Sequence, residues 1–247
     1  MNRPTATFTP TATTVNGLRL GNFNLGGTAT ITLNPTAGTR TGILKTGATA
    51  SSIGSAITLG AATTELVVNV EDSGTGTLTL TGAISGSGKG LTKTGAGTLI
   101  LSGANAYTGP TIINQGTIRT TLGTRISGSS ALTLFSGAQL DVQTFPQPVA
   151  SLTFQGGGSI VGTGAGQVNL AGTLTYQTLQ GAETGAVVSS ILGLSTSTTA
   201  VNRIFNIARG TADYDVTISG AMVNFTGGTH GIAKTGLGIL KLSGANT

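Results

Sequence analysis

Short alternations of apolar and polar residues recur along the whole chain. TATITL (28–33), ELVVNV (65–70), TLTLTG (77–82), TLILSG (98–103), DVTISG (215–220) and ILKLSG (239–244) place an aliphatic residue at every second position. A period of two sends the apolar set to one face of a strand and its neighbours to the other. Thr is the commonest residue at the intervening positions, and it suits a pleated, half-solvated surface. Gly, Ser-Gly or Asn-Gly bounds each run and marks the turns. No 11-residue window carries a 3.6-residue apolar period, and the helix formers Glu, Lys and Gln are scarce. The pattern predicts an all-β protein whose strands follow one another every 8–14 residues. That spacing fits a sandwich, a barrel or a parallel β-helix.

Internal repetition decides among the three. GLTKTGAGTLILSGAN (90–105) returns as GIAKTGLGILKLSGAN (231–246), an offset of 141 residues. The shared positions pair Lys93 with Lys234, Gly95 with Gly236, Gly97 with Gly238, Leu99 with Leu240, Leu101 with Leu242, Gly103 with Gly244 and Asn105 with Asn246. A shorter copy, GILKTGA, spans 42–48, and TLTLTGA (77–83) faces VTISGA (216–221) at a slightly smaller offset. Like residues at like positions are what a solenoid requires, because equivalent strands of successive coils stack on one another. The expectation is one β-solenoid over 1–247 with two related halves, about 1–120 and 121–247. In it Leu99, Leu101, Leu240 and Leu242 feed a shared core and the glycines turn corners. Asn105 and Asn246 are expected at coil corners, where Asn tolerates a left-handed backbone and hydrogen-bonds nearby main chain. Lys93 and Lys234, each ahead of a Gly turn, are expected to point to solvent.

The stretch KTGAGTLILSGANAYTGPTIINQGTI resembles the autotransporter-associated β-strand repeat, also called the passenger-associated transport repeat. The resemblance rests on Lys93, Gly95, Gly97, Thr98, Leu99, Leu101, Ser102, Gly103, Asn105, Tyr107, Thr108, Gly109, Thr111, Gly116 and Thr117, with Ile118 in place of a closing Leu. The second copy matches through Asn246, has Ile239 for the strand Thr, and lacks the Tyr-Thr-Gly half. The resemblance implies a right-handed parallel β-helix, exposed on or released from bacterial cells, in a repeat associated with transport and not with chemistry. It implies a non-catalytic structural segment, a passenger stalk or a filament-forming solenoid. Open edges at both ends of a β-helix invite pairing, so end-to-end self-association or continuation of a longer chain is expected.

Composition narrows the alternatives. Gly contributes 41 of 247 residues, charged side chains 8% and aromatic ones 4%, with no Cys and no Trp. Absence of Cys removes disulfides and thiolate chemistry and suits a chain exported unfolded. The net charge of +5 comes from 12 basic residues that never cluster, whereas nucleic-acid binding wants a dense basic stripe or stacking platforms. No apolar run approaches the roughly 18 residues of a spanning helix. Membrane barrels also use aromatic girdles, which these strands lack. MNRPTATFTPTATT has no continuous apolar stretch, so an intact signal peptide is not expected there.

Candidate chemistry is sparse. His230, in GGTHG, is the lone histidine and reads as a turn residue; the GxSxG elbow of a serine hydrolase does not occur. The seven acids are Glu65, Glu71, Asp72, Asp141, Glu183, Asp213 and Asp215. Carbohydrate-cleaving β-helices group carboxylates on one face beside a basic residue. Asp213 and Asp215, two apart with Arg209 nearby, form the strongest such cluster. The alternative reading is therefore a lyase- or hydrolase-like β-helix, or an adhesin that binds glycan or host protein. Convergence of Asp213, Asp215 and Arg209 with a third acid would favour the enzyme. ISGSGKG (84–90) fails as a phosphate loop because Ala83 stands where the first Gly is needed and Gly90 where Ser or Thr is needed. TATIT and TLTLT carry outward threonines on isolated strands, too few for an ice-ordering array. No metal and no cofactor is expected.

Overall fold

A computed structural model describes residues 7–8, 13–22, 24–35, 41–71, 76–179, 183–194, 199, 201–224 and 229–246. Among these, every described strand pairing is parallel and no helix occurs. The chain is a parallel β-solenoid. An eleven-stranded sheet runs from Thr7–Phe8 to Leu240–Leu242, and a ten-stranded sheet from Leu18–Leu20 to Ile232–Thr235. A third side is built from a five-stranded sheet (Thr13–Val15 to Ala106–Tyr107) and then a four-stranded one (Pro146–Val149 to Met222–Val223).

Register turns the sequence alternation into columns. On the eleven-stranded sheet Leu78, Leu99, Ile118, Leu140, Ile160, Val188, Ile218 and Leu242 stack directly, coil on coil. On the ten-stranded sheet Leu66, Leu91, Thr111, Leu132, Leu152, Leu174, Phe205 and Lys234 do the same. Almost all of these side chains are fully buried in a single continuous core. Burying one such aliphatic side chain stabilises the fold by about 1.5–3 kcal/mol. The outward neighbours are Thr-rich. Thr77, Thr98 and Thr117 stack, as do Thr133, Thr153 and Thr175. Outward threonines thus extend over successive coils, further than the sequence suggests. Each array is only one column wide, because Thr79, Ile100 and Arg119 occupy the next column of the first and Phe135, Gln155 and Gln177 that of the second.

Two core positions make contrasting predictions. Leu99 fills the interior without access to solvent, so Leu99→Ala leaves a cavity and costs about 2–5 kcal/mol. Thr98→Ala, on the outward face, changes stability by about 0.5 kcal/mol or less. Thr120 faces inward over Leu101, and its hydroxyl has no hydrogen-bond partner among the described residues. Thr120→Val keeps the shape and removes an orphaned polar group, so it raises stability by about 1 kcal/mol. Equilibrium urea unfolding of the three variants against the parent measures all of these.

Candidate functional site

The repeated string makes the same bonds in both copies. Gly97 N–H donates to Val70 O at 3.0 Å, and Gly238 N–H to Ile207 O at 2.8 Å. Ser102 N–H donates to Leu80 O, and Ser243 N–H to Ile218 O, at 2.9 and 3.0 Å. Every one of these acceptors lies one coil earlier. Gly95 and Gly236 adopt φ of +74° and +76°, a left-handed conformation that costs glycine nothing. Gly103 and Gly244 lie against the backbone of Gly82 and Gly220 in the preceding coil, where a Cβ would collide with main chain.

Asn105 does not turn a corner in the left-handed region; among the described residues only Thr124 and Gln143 do so without being glycine. Its carboxamide instead bridges two coils. Oδ1 accepts from Ile84 N–H of the coil before at 2.8 Å, and Nδ2 donates to Arg125 O of the coil after at 2.8 Å. Asn246 repeats the first half, accepting from Met222 N–H at 3.1 Å. Two coils beyond Asn105, buried Gln147 takes the corresponding part. It accepts from the Arg125 and Ile126 amides and donates to Leu122 O.

Lys93 overturns its expected orientation. It points inward, in column with Val68 and Ile113, and is completely buried. The ammonium curls back to donate to Thr94 O at 2.7 Å, Gly95 O at 2.6 Å and Gln115 O of the next coil at 3.1 Å. These carbonyls replace the water that burial removed, as a buried cation demands. Lys45, in the shorter copy, is equally buried and clasps Thr46 O and Gly47 O. Lys234 is exposed and donates to Gly236 O at 2.9 Å.

The acidic candidates come together only in part. Asp215 is fully buried. Its carboxylate accepts from Arg209 Nη1 at 3.1 and 3.2 Å, from Gly210 N–H at 2.7 Å and from Ile239 N–H of the next coil at 2.6 Å. Glu183 is the third acid beside it, accepting from the Leu179 and Thr211 amides and from the Tyr176 hydroxyl. Asp213 is exposed and stands outside this set. Both carboxylates that converge are therefore occupied by backbone amides of two coils. Burial, then the negative charges of Glu183 and Asp215, push the Tyr176 phenol up to about 12.

Elsewhere, Asp141 pairs with Arg119 at 2.8 Å, and Thr92 donates to Glu65 at 2.5 Å. Glu71 is exposed, and Asp72 lies outside the described residues. His230 is buried, with its amide on Asn224 Oδ1 and its Nδ1 at 3.2 Å from the Val201 backbone. Three surface cavities, of about 300 to 520 Å³, lie along the described part of the solenoid. One has no ionisable lining residue, one has Glu65 and one Arg19. No group of three metal-ligating side chains occurs among the described residues.

The passenger-associated-transport-repeat family model matches residues 70–88, 91–119 and 232–247, about a quarter of the chain. The chain carries passenger-associated transport repeats. Two of the matches contain the two copies of the string from their second residue on. The third falls on 70–88 and not on the GILKTGA stretch, although Lys45 there forms the same clasp as the lysine of the 91–119 repeat. Among curated proteins and among solved structures, none matches the chain.

The buried lysine gives a pH signature. Burial pulls Lys93 from an ordinary 10.5 down to about 8, so between those values the unfolded chain binds more protons than the folded one. Stability therefore rises as pH goes from about 8 toward 10.5. Above about 10, Tyr107 and Tyr176 act in the opposite sense. Burial raises both phenols in the fold, and the unfolded tyrosines ionise first. Urea midpoints measured from pH 7 to 10 should climb in the parent, and Lys93→Met should flatten that climb.

Proposed function

We propose that the chain is a non-catalytic structural segment of a bacterial cell-surface or secreted protein, a passenger stalk built to extend and present. The observation that carries this reading is where the ionisable groups go. Lys93, Lys45, Asp215 and Glu183 all spend their charge on backbone groups of their own or adjacent coils. On this reading Lys93, Gly95, Gly97, Leu99, Leu101, Gly103 and Asn105, with their counterparts Lys234 to Asn246, are repeat-forming residues. Residues 1–247 form one solenoid of two related halves. Its open coils continue the solenoid, either against another copy or against further repeats of a longer chain.

The enzyme reading rests on Asp215 and Arg209 and is tested at the same position. Asp215→Ala leaves the amides of Gly210 and Ile239 without their acceptor, so it costs about 1–3 kcal/mol for each amide that stays buried and removes no activity. Polysaccharide cleavage by the parent chain that disappears in a folded Asp215→Ala or Asp213→Asn variant would overturn the structural reading. Electron microscopy of the purified chain tests extension through the open coils.

A further inference from the structure

In the first full copy of the repeat, the following coil is present and shows what the string is built to bind. Residues 106–125 lay Thr111–Ile113 over Leu91–Lys93 and Thr117–Thr120 over Thr98–Leu101. Two side chains of the lower coil reach up to that cover: Lys93 to Gln115 O and Asn105 to Arg125 O. Gly116 of the cover lies on the backbone of Gly95, Ala96 and Gly97.

The second copy carries the same surface. Among the described residues nothing pairs with the outer edges of Ile232–Thr235 and Leu240–Leu242. Lys234 Nζ keeps an acceptor in its own turn, Gly236 O, and Asn246 keeps its bond to the coil below. Neither has an upper acceptor among the described residues. Leu237, which takes the place of Ala96, is 89% exposed, and Ile239 and Leu242 are 41% and 39% exposed. An apolar strip with unpaired strand edges is a pairing surface.

We propose that the outer face of the 231–246 coil docks one parallel β-coil of the kind residues 106–125 form, a Tyr-Thr-Gly half-repeat, and that Lys234 and Asn246 fix its register by donating to two of its backbone carbonyls. The proposal rests on the structural reading above and names what the open coil accepts. Two donors some 12 residues apart on the lower coil specify two carbonyls some 10 residues apart on the upper one, as in Gln115 and Arg125. A shift of one residue would turn the cover's apolar set outward.

The test grafts a copy of residues 106–130 after Asn246 of the full chain. The extended chain should unfold several degrees higher than the parent. Lys234→Met and Asn246→Asp should each remove at least half of that gain. Asn246→Asp keeps the acceptor for Met222 and loses only the donor. The same substitutions in the unextended chain should shift the midpoint far less. A slowly exchanging Lys234 ammonium signal should appear on extension in ¹⁵N spectra, beside the one expected of buried Lys93. An extension that stabilises equally with both substitutions in place overturns the register role and leaves the stacking reading standing. An extension that adds neither stability nor β structure overturns the docking face itself. Sedimentation showing end-to-end growth of the unextended chain, undiminished by either substitution, assigns the face to a second copy and also overturns the proposal.

Discussion

In this solenoid a strand's hydrogen-bond partner lies one coil away, so no coil satisfies its backbone alone. Buried N–H and C=O groups must be paired, and here strand partners stand 17 to 31 residues apart in sequence. That constraint explains most of what the side chains do. An inward position must repeat its size and polarity coil after coil, which gives the aliphatic columns. A corner must let two coils approach to backbone contact, which places Gly103 over Gly82 and Gly244 over Gly220. Wherever a corner breaks the ladder, a side chain has to replace the lost backbone partner. Asn105, Gln147 and Asp215 each do this with an amide or carboxylate that accepts main-chain N–H groups.

The lysine clasp solves the same problem from the other side. After Thr94 the chain leaves its strand, and the carbonyls of Thr94, Gly95 and Gln115 converge. One ammonium satisfies all three. A buried cation is costly in the absence of such partners, so the residue that relieves the carbonyls depends equally on them. The result is a bond set that spans two coils from a single side chain, and it fixes the turn and the stacking together.

The sheets, the columns and the repeat were legible in the sequence because they depend on periodicity, which is local. TLILSG predicts Thr98–Leu101 with its Leu inward, and the structure places it so. Lys93 was misread although the signal was present. In GLTKTG it shares the phase of Leu91, and a period of two puts both on the inner face. Alternation outranks the usual preference of a charged residue for solvent at this position. The role of Asn105 could not be read locally, since its two partners sit about 20 residues away on either side. Asp215 and Glu183 were visible as acids, but their occupancy by the Ile239 and Thr211 amides depends on coil length between them. The pairing of Asp213 with Asp215 failed for a related reason: the backbone bends ahead of Val216–Ile218, so the two do not alternate as on one strand.

A repeat that is completed only by its successor has a consequence for specificity. Aliphatic columns alone tolerate sliding by two residues, since the same phase returns to the core. Directional donors do not tolerate it, because a two-residue slip moves the upper carbonyl by roughly 6–7 Å along the strand, beyond reach of a fixed ammonium or carboxamide. Lys93 and Asn105, at opposite ends of the same string, therefore remove the one ambiguity that the Leu columns leave. This accounts for a string in which hydrophobic and polar positions recur together: the leucines supply the adhesion between coils, and the lysine and asparagine determine which alignment that adhesion stabilises.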